Sequence, residues 1–231
     1  MRAAILLAAG SSRRFGRGDK LLARLHGRPL ILHALDRALE AGAGRVIVVV
    51  PSLGGRIGRT IVPGGRVSRI AARAHRDGLA ASLAAGLAAL RPIEREVLIF
   101  LADMPFAMAP RALRLAPGSD AARPVHKGRP GHPLLVRTAA ARAIRLSGDQ
   151  GLAGKLQRIR AVQGARANLI DIDTPAALRP RALRPPNPAP AQRTPDRPAK
   201  ASRTGCGHRE TARSRLSAGN RGGHTRRSKC P

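Results

Sequence analysis

The strongest constraint on what this chain can fold into is the way it begins. After Met1-Arg2 comes an unbroken apolar run, Ala3-Ala4-Ile5-Leu6-Leu7-Ala8-Ala9, which gives way at once to Gly10-Ser11-Ser12-Arg13-Arg14-Phe15-Gly16. A run that short and that continuous reads as a strand buried on both faces. As a secretory h-region it sits at the lower limit of length, and the loop to Arg14 follows it directly. A glycine-containing loop that leaves a buried strand for a helix can aim backbone N–H groups at an anion, with Gly10 and Gly16 allowing close approach or unusual dihedrals. The segment is not a P-loop, which needs Gly-Lys-Ser/Thr, nor a dinucleotide fingerprint, which needs G-x-G-x-x-G. Taken alone it supports an anion-binding turn, or an ordinary strand-to-helix turn with surface arginines.

The same kind of run recurs. Arg45-Val46-Ile47-Val48-Val49-Val50 is rich in β-branched residues and ends at Pro51 and Gly54, Val97-Leu98-Ile99-Phe100-Leu101 is a second such strand, and Pro133-Leu134-Leu135-Val136 a third. Between the first two strands Leu30, Ile31, Ala34, Leu35, Ala38 and Leu39 recur at helical spacing until Gly42 and Gly44. A second helix is expected from Leu79 to Leu90, with Pro92 as its stop. Buried strands alternating with helices predict an α/β domain, a mostly parallel sheet with helices on both faces. Residues 56 to 70 show no clear period. Hydrophobic residues make up 43% of the chain, yet there are three Phe and no Trp or Tyr, so the core must be aliphatic. No run reaches the length of a membrane-spanning helix.

Past Arg179 the character changes. From Pro180 to Pro231 the only large aliphatics are Leu183 and Leu216, and the only acids Asp196 and Glu210. Such a segment cannot bury enough apolar surface to offset its ordering entropy. Residues 1–179 are therefore expected to form the folded domain, and 180–231 a disordered basic Pro/Arg-rich tail. Three explanations of the tail compete: a nucleic-acid-binding extension, a solvated linker, or translation in a shifted reading frame, which the abrupt change favours. The formal net charge of +30 invites a polyanionic partner. Against nucleic acid stand the even spread of arginine, the lack of aromatic stacking residues and the lack of a zinc-ligand cluster. Both cysteines, Cys206 and Cys230, lie in the tail, so nothing requires an oxidising compartment and the expected location is cytoplasmic.

Four segments carry groups suited to chemistry. Arg14 and Lys20, after the first loop, can meet β- and γ-phosphates, and Arg13 could assist. Leu101-Ala102-Asp103-Met104-Pro105 puts a lone carboxylate at the C-terminal end of a buried strand, where open α/β sheets bind ligands. Asp103 there suits a hard Mg²⁺ ion bridging phosphate oxygens, or equally a helix cap with Pro105 in the first turn. Lys127-Gly128-Arg129-Pro130-Gly131-His132-Pro133 reads as a constrained loop entering a strand, with His132 either holding a second substrate or buried with its hydrogen bonds satisfied. In Leu169-Ile170-Asp171-Ile172-Asp173-Thr174-Pro175, strand alternation places Asp171 and Asp173 on one face. The Pro that follows favours a helix start, so Asp173 is read as a cap and Asp171 as a candidate metal ligand.

Taken in order, these segments resemble the MobA-like NTP transferase family, and within it the molybdenum cofactor cytidylyltransferases. The family's opening L-A-A-G-x-S-x-R-x-G and following Lys are matched by Leu7 to Gly16 and Lys20. Its Gly-Leu-x-x-Ser is matched by Gly78 to Ser82, its L-x-D-M/Q-P by Leu101 to Pro105, its P-G-H-P by Pro130 to Pro133, and its D-I-D-T-P by Asp171 to Pro175. Ser147-Gly148-Asp149-Gln150-Gly151 is similar to the family's segment before its penultimate helix. The departures are Phe15 where Met is common, Lys20 one residue farther from Gly16, an Arg- and Ala-rich stretch around Arg73 to His75 in place of Asn-Pro, and Ala176 and Ala177 where acids are usual.

The resemblance implies a Rossmann-like, GT-A-type nucleotidyltransferase that uses Mg²⁺ to move CMP from CTP, or another nucleotide from its NTP, onto the phosphate of molybdopterin, releasing pyrophosphate. It implies that Arg14, Lys20 and Asp103 act on the phosphates. The nucleotide would be held by Leu7, Ala8, Ala9, Gly10, Ser12, Arg14, Lys20, Gly78 and Ser82. Gly131 and His132 would face the pterin, and Asp103 with Asp171 would hold the metal. Ala8-Ala9-Gly10, rather than Ala-Gly-Gly, resembles the cytidylyl branch. A molybdoenzyme or its chaperone is the macromolecular partner implied, with no membrane. A sugar- or polyol-phosphate nucleotidyltransferase and a nonenzymatic nucleic-acid binder are the alternatives.

Overall fold

The computed structural model describes residues 1–9, 15, 19–72, 78–148 and 151–178. All of them belong to the first of two compact units, Met1–Asn187; the second, Pro188–Pro231, lies outside the described residues. In chain order the strands are β1 (Arg2–Leu7), β2 (Arg24–Leu25), β3 (Arg28–Pro29), β4 (Arg45–Val50), β5 (Val67–Ala71), β6 (Glu96–Leu101), β7 (Ala121–His126), β8 (Arg129–Pro130), β9 (Leu134–Arg137) and β10 (Ile159–Gln163). The helices are α1 (Leu30–Glu40), α2 (Arg56–Thr60), α3 (Leu79–Ala88) and α4 (Thr138–Ala143), with short 3₁₀ turns between.

The opening run lies at the centre of the main sheet. Strand β1 pairs in parallel with β4 on one side and β6 on the other, and β5 continues the parallel half beyond β4. Alternation then sends the side chains of these strands into two separate cores. Ala4 and Leu6 join Val46, Val48, Leu98 and Phe100 beneath the apolar stripe of α1, formed by Leu30, Ile31, Ala34, Leu35 and Ala38. Ala3, Ile5 and Leu7 join Ile47, Val49, Val97 and Ile99 beneath Leu83 and Leu87 of α3. Each fully buried Leu or Ile contributes roughly 1.5–3 kcal/mol. Helices therefore cover both faces of a mostly parallel sheet, the fold class expected from the sequence.

The far side of β6 departs from that expectation. The Leu134–Arg137 strand, read from sequence as one more parallel strand, runs antiparallel to both β6 and β7. Strand β10 then closes that edge in parallel with β7, giving the order β10-β7-β9-β6-β1-β4-β5. Strand β7 is illegible in the sequence because Pro124 sits inside it, and proline normally argues against a central strand. Its continuation, read as a loop entering a strand, is a hairpin: Lys127 (φ 49°) and Gly128 (φ 75°) make the left-handed turn that returns the chain as β8. Residues 56 to 70, aperiodic in sequence, hold α2 and the start of β5, an edge strand in which all five residues are half-buried.

Strands β1, β4 and β6 end together. Ala8 N–H donates to the Val49 carbonyl at 2.9 Å, and Ala102 N–H donates to the Leu7 carbonyl at 3.0 Å. The segments after β1 and β6 thus leave the sheet at one edge, its C-terminal edge, where ligands of open α/β sheets bind. Among the described residues no helix is long and apolar enough to cross a membrane.

Candidate active site

Asp103 leaves this edge two residues after β6. No helix follows it: Met104 N–H bonds back to Leu101 in a turn, so the capping role the sequence allowed does not arise. Its carboxylate Oδ2 accepts from Lys20 Nζ at 2.8 Å instead. Lys20 opens a 3₁₀ turn (Lys20–Leu22) held by Leu22 N–H to the Asp19 carbonyl and anchored by the buried Leu21. The same ammonium donates to Asp173 Oδ1, also at 2.8 Å. Asp173 is delivered by a backbone bond from Ile172 N–H to the Asp103 carbonyl at 2.9 Å, with the Ile172 side chain fully buried in the α1-side core.

One cation thus sits between two carboxylates from segments far apart in sequence. Burial opposes the charge on Lys20, whose side chain is only 13% exposed. The hydrogen bonds and charges of Asp103 and Asp173 outweigh that burial and hold the ammonium above its ordinary pKa.

The structure places the two later aspartates differently from one another. Asp173, read as a helix cap, meets Asp103 through Lys20, whereas Asp171, read as the metal ligand, is exposed and lines a separate cavity of about 260 Å³ with Arg129 and Arg166. The segment from Ile170 to Thr174 is not a strand, so the alternation argument that grouped the two does not apply.

A second cluster adjoins the first. Gly131 packs so closely on the Asn168 carbonyl that any Cβ there would collide with it, which accounts for glycine at this position. Asn168, 3% exposed, donates from Nδ2 to the carbonyls of His132 (2.7 Å) and Met108 (2.6 Å), and its Oδ1 accepts from Ala165 N–H at 2.9 Å. His132 N–H donates in turn to the Asn168 carbonyl at 2.9 Å. Its Nδ1 lies 3.5 Å from the Ile99 carbonyl. An oxygen there can only accept, so this contact favours the tautomer with its proton on Nδ1. Burial pushes the His132 pKa below its usual value; the Ile99 carbonyl and Asp103 pull it up, and Arg123 adds to the lowering. Arg123 itself donates to the Gly131 carbonyl.

The family model described as the MobA-like NTP transferase domain matches residues 4–166. The chain belongs to that family. A probable molybdenum cofactor guanylyltransferase of Thermococcus sibiricus is 50% identical over 48 residues, 21% of this chain and 24% of the relative. The chain thus matches about a quarter of the length of such curated relatives. Among solved structures, Rv0371c from Mycobacterium tuberculosis aligns with a TM-score of 0.60 at 26% identity, over 74% of this chain and 92% of that one. A manganese complex of Rv0371C aligns with a TM-score of 0.53 at 24% identity, over 71% and 88%.

Within this MobA-like domain the expected nucleotide residues divide into two groups. Gly10, Ser12 and Arg14, with Arg13 and Gly16, lie outside the described residues. Leu7, Ala8 and Ala9 are buried at the C-terminal edge of β1. Gly78, with φ 102°, directly precedes α3, and Ser82 inside that helix is 2% exposed, with no hydrogen-bond partner for Oγ among the described residues. A buried hydroxyl without a partner costs about 1–3 kcal/mol, so its presence calls for an explanation. Asn168 and Arg123 escaped the sequence reading, because neither belongs to a motif and, apart from Ala165, their partners are brought to them only by the fold.

Proposed function

We propose that this chain is a divalent-metal-dependent nucleotidyltransferase that moves CMP from CTP onto the phosphate of a molybdopterin-type acceptor and releases pyrophosphate. The observation that carries the reading is the pair of carboxylates, Asp103 and Asp173, gathered on one cation at the ligand-binding edge of a MobA-like domain.

The donor set fits a hard divalent cation. Asp103 and Asp173 present oxygen ligands that already enclose a positive charge, and the described residues hold no group of three or more metal-ligating side chains. Two carboxylates, with the remaining positions left to phosphate oxygens and water, are the usual arrangement for Mg²⁺. When bound, such an ion neutralises charge on the α-phosphate and the departing pyrophosphate.

The rest falls to the chain's own residues. Lys20 and Arg14 offset the charge that grows on pyrophosphate, by electrostatic stabilisation rather than covalent chemistry. The backbone from Leu7 to Gly10, with Ser12, Gly78 and Ser82, holds the nucleotide; a ligand group reaching Ser82 Oγ would give it the partner it lacks among the described residues. An oxygen of the acceptor phosphate attacks the α-phosphorus, and the bond to the oxygen bridging α and β breaks. That nucleophile is already ionised, so no general base is needed. His132, neutral and held by Asn168, then serves with Gly131 as a fixed wall for the acceptor.

Ala8-Ala9-Gly10 supports CTP, while the archaeal relatives, named as guanylyltransferases, favour GTP as the second reading. A sugar- or polyol-phosphate acceptor is the alternative on the other side of the site, and a molybdoenzyme or its chaperone is the partner implied for the product. Pyrophosphate release measured with each of the four NTPs, with and without molybdenum cofactor, tests the reading. Release with CTP that requires the cofactor supports it. Release with GTP alone moves the assignment of the base, and release that requires a sugar phosphate instead moves the acceptor.

A further inference from the structure

We propose that Lys20 is a built-in placeholder: its ammonium occupies the position between Asp103 and Asp173 until a divalent cation takes that position, and then turns to the triphosphate. The inference rests on the proposed role of this carboxylate pair in metal binding. It goes further by giving Lys20 two stations instead of one.

The geometry carries it. Both carboxylate oxygens lie 2.8 Å from the same nitrogen, so they are no farther apart than twice that distance. Replacing the N–O contacts by Mg–O contacts of about 2.1 Å asks each carboxylate to move by less than about 1 Å. The site is thus shaped in advance, and without a central cation the two negative charges would repel each other. An ammonium and a divalent cation cannot both stand within bonding distance of the same two oxygens. Lys20 must leave for the site to fill.

The chain provides for that departure. The backbone of Lys20 is fixed by its 3₁₀ turn and by buried Leu21, whereas the ammonium sits on a flexible four-carbon stem. An arginine would present a rigid fork and could not vacate the position as readily. The triphosphate is the natural second station, since it offers the ammonium new anionic partners as the carboxylates are released. Metal and nucleotide then bind cooperatively, each clearing the way for the other, and this coupling is reciprocal. A divalent cation alone has to compete with an ion pair inside the protein. The device therefore disfavours a metal-loaded site that lacks a nucleotide.

The test uses Mn²⁺ alone, with free Mn²⁺ read by electron paramagnetic resonance, on the full chain and on Lys20→Met. Removing the competitor should tighten Mn²⁺ binding by about tenfold or more, within the usual range of coupling between linked sites. An affinity that is unchanged or weaker in Lys20→Met overturns the placeholder role. Asp103→Asn separates the two levels of the argument: it should lose Mn²⁺ binding in either background. If Asp103→Asn binds as tightly as its parent, the metal reading fails and the placeholder with it. A measurement on the unaltered protein guards against a misfolded variant. The Lys20 side-chain ammonium resonance should be visible by NMR without metal and shift when Mg²⁺ alone is added at saturating concentration. A resonance that stays in place under saturation contradicts the exchange.

Discussion

Replacing Asp173 by Asn keeps the shape of the side chain and removes one of the two charges that converge on Lys20. The structure sets the size of the effect on two separate scales. Asp173 is 41% exposed and its partner Lys20 13% exposed, so solvent screens the ion pair and its loss should cost stability no more than about 1 kcal/mol. On turnover the loss should be far larger, because in the proposed reading Asp173 is one of the two carboxylates that would hold the divalent ion against the phosphates. Removing one preorganised group of this kind commonly lowers kcat by about 10²–10³-fold. Asp171→Asn is the matched control, being two residues away, of the same chemistry, and exposed in a different cavity. Pyrophosphate release gives kcat/KM for both variants, and thermal unfolding checks that each is folded. If Asp171→Asn loses as much as Asp173→Asn, or if Asp173→Asn stays within about threefold of the parent, the assignment of the pair is refuted.

Three further perturbations follow. Glu94, with its side chain 6% exposed, takes two hydrogen bonds from Arg45 (2.8 and 2.9 Å) and one from Arg91 N–H (2.7 Å). Its pKa is lowered, chiefly by Arg45, and Glu94→Ala should cost about 1–3 kcal/mol in urea unfolding, by removing charge-assisted hydrogen bonds from a half-buried guanidinium that keeps only its bond to the Ala89 carbonyl. Asn168→Ala strips the Met108 and His132 carbonyls and the Ala165 amide of a partner, so the acceptor KM should rise while the NTP KM stays near its value. His132 has a lowered pKa in the fold, so the unfolded chain binds more protons as pH falls below the ordinary histidine value of 6.5. Stability should therefore decline as pH drops through that value toward the folded pKa, with a shallower decline in His132→Gln, as followed by unfolding at several pH values.

The central sheet was legible because β1, β4 and β6 are runs of residues buried on both faces, a pattern that few other structures produce. The antiparallel side was not. Pro124 disguises β7, and β10 buries only Val162, so neither strand announces itself by alternation. At the site, Lys20 and Asp103 could each be singled out locally, one by its place after the glycine-containing loop and one by its place at a strand end. Their meeting with Asp173 could not, since Pro175 made capping the better local explanation for that residue. What decides the matter is a long-range backbone bond, Ile172 to Asp103, that aims Asp173 at Lys20 and turns Asp171 away. Asn168 was invisible for the same reason: two of its three hydrogen bonds go to Met108 and His132, far away in sequence, and only the third, from Ala165, is local.

The most direct test of the central claim follows the transferred atom itself. CTP carrying a labelled α-phosphate is incubated with molybdenum cofactor, Mg²⁺ and either the parent chain or Asp103→Ala, the variant being first shown to unfold at a similar temperature. The expected result is label appearing in the cofactor in step with pyrophosphate for the parent, and neither product for Asp103→Ala. Near-normal transfer by folded Asp103→Ala, or no transfer by the parent from any of the four labelled NTPs, would contradict the account.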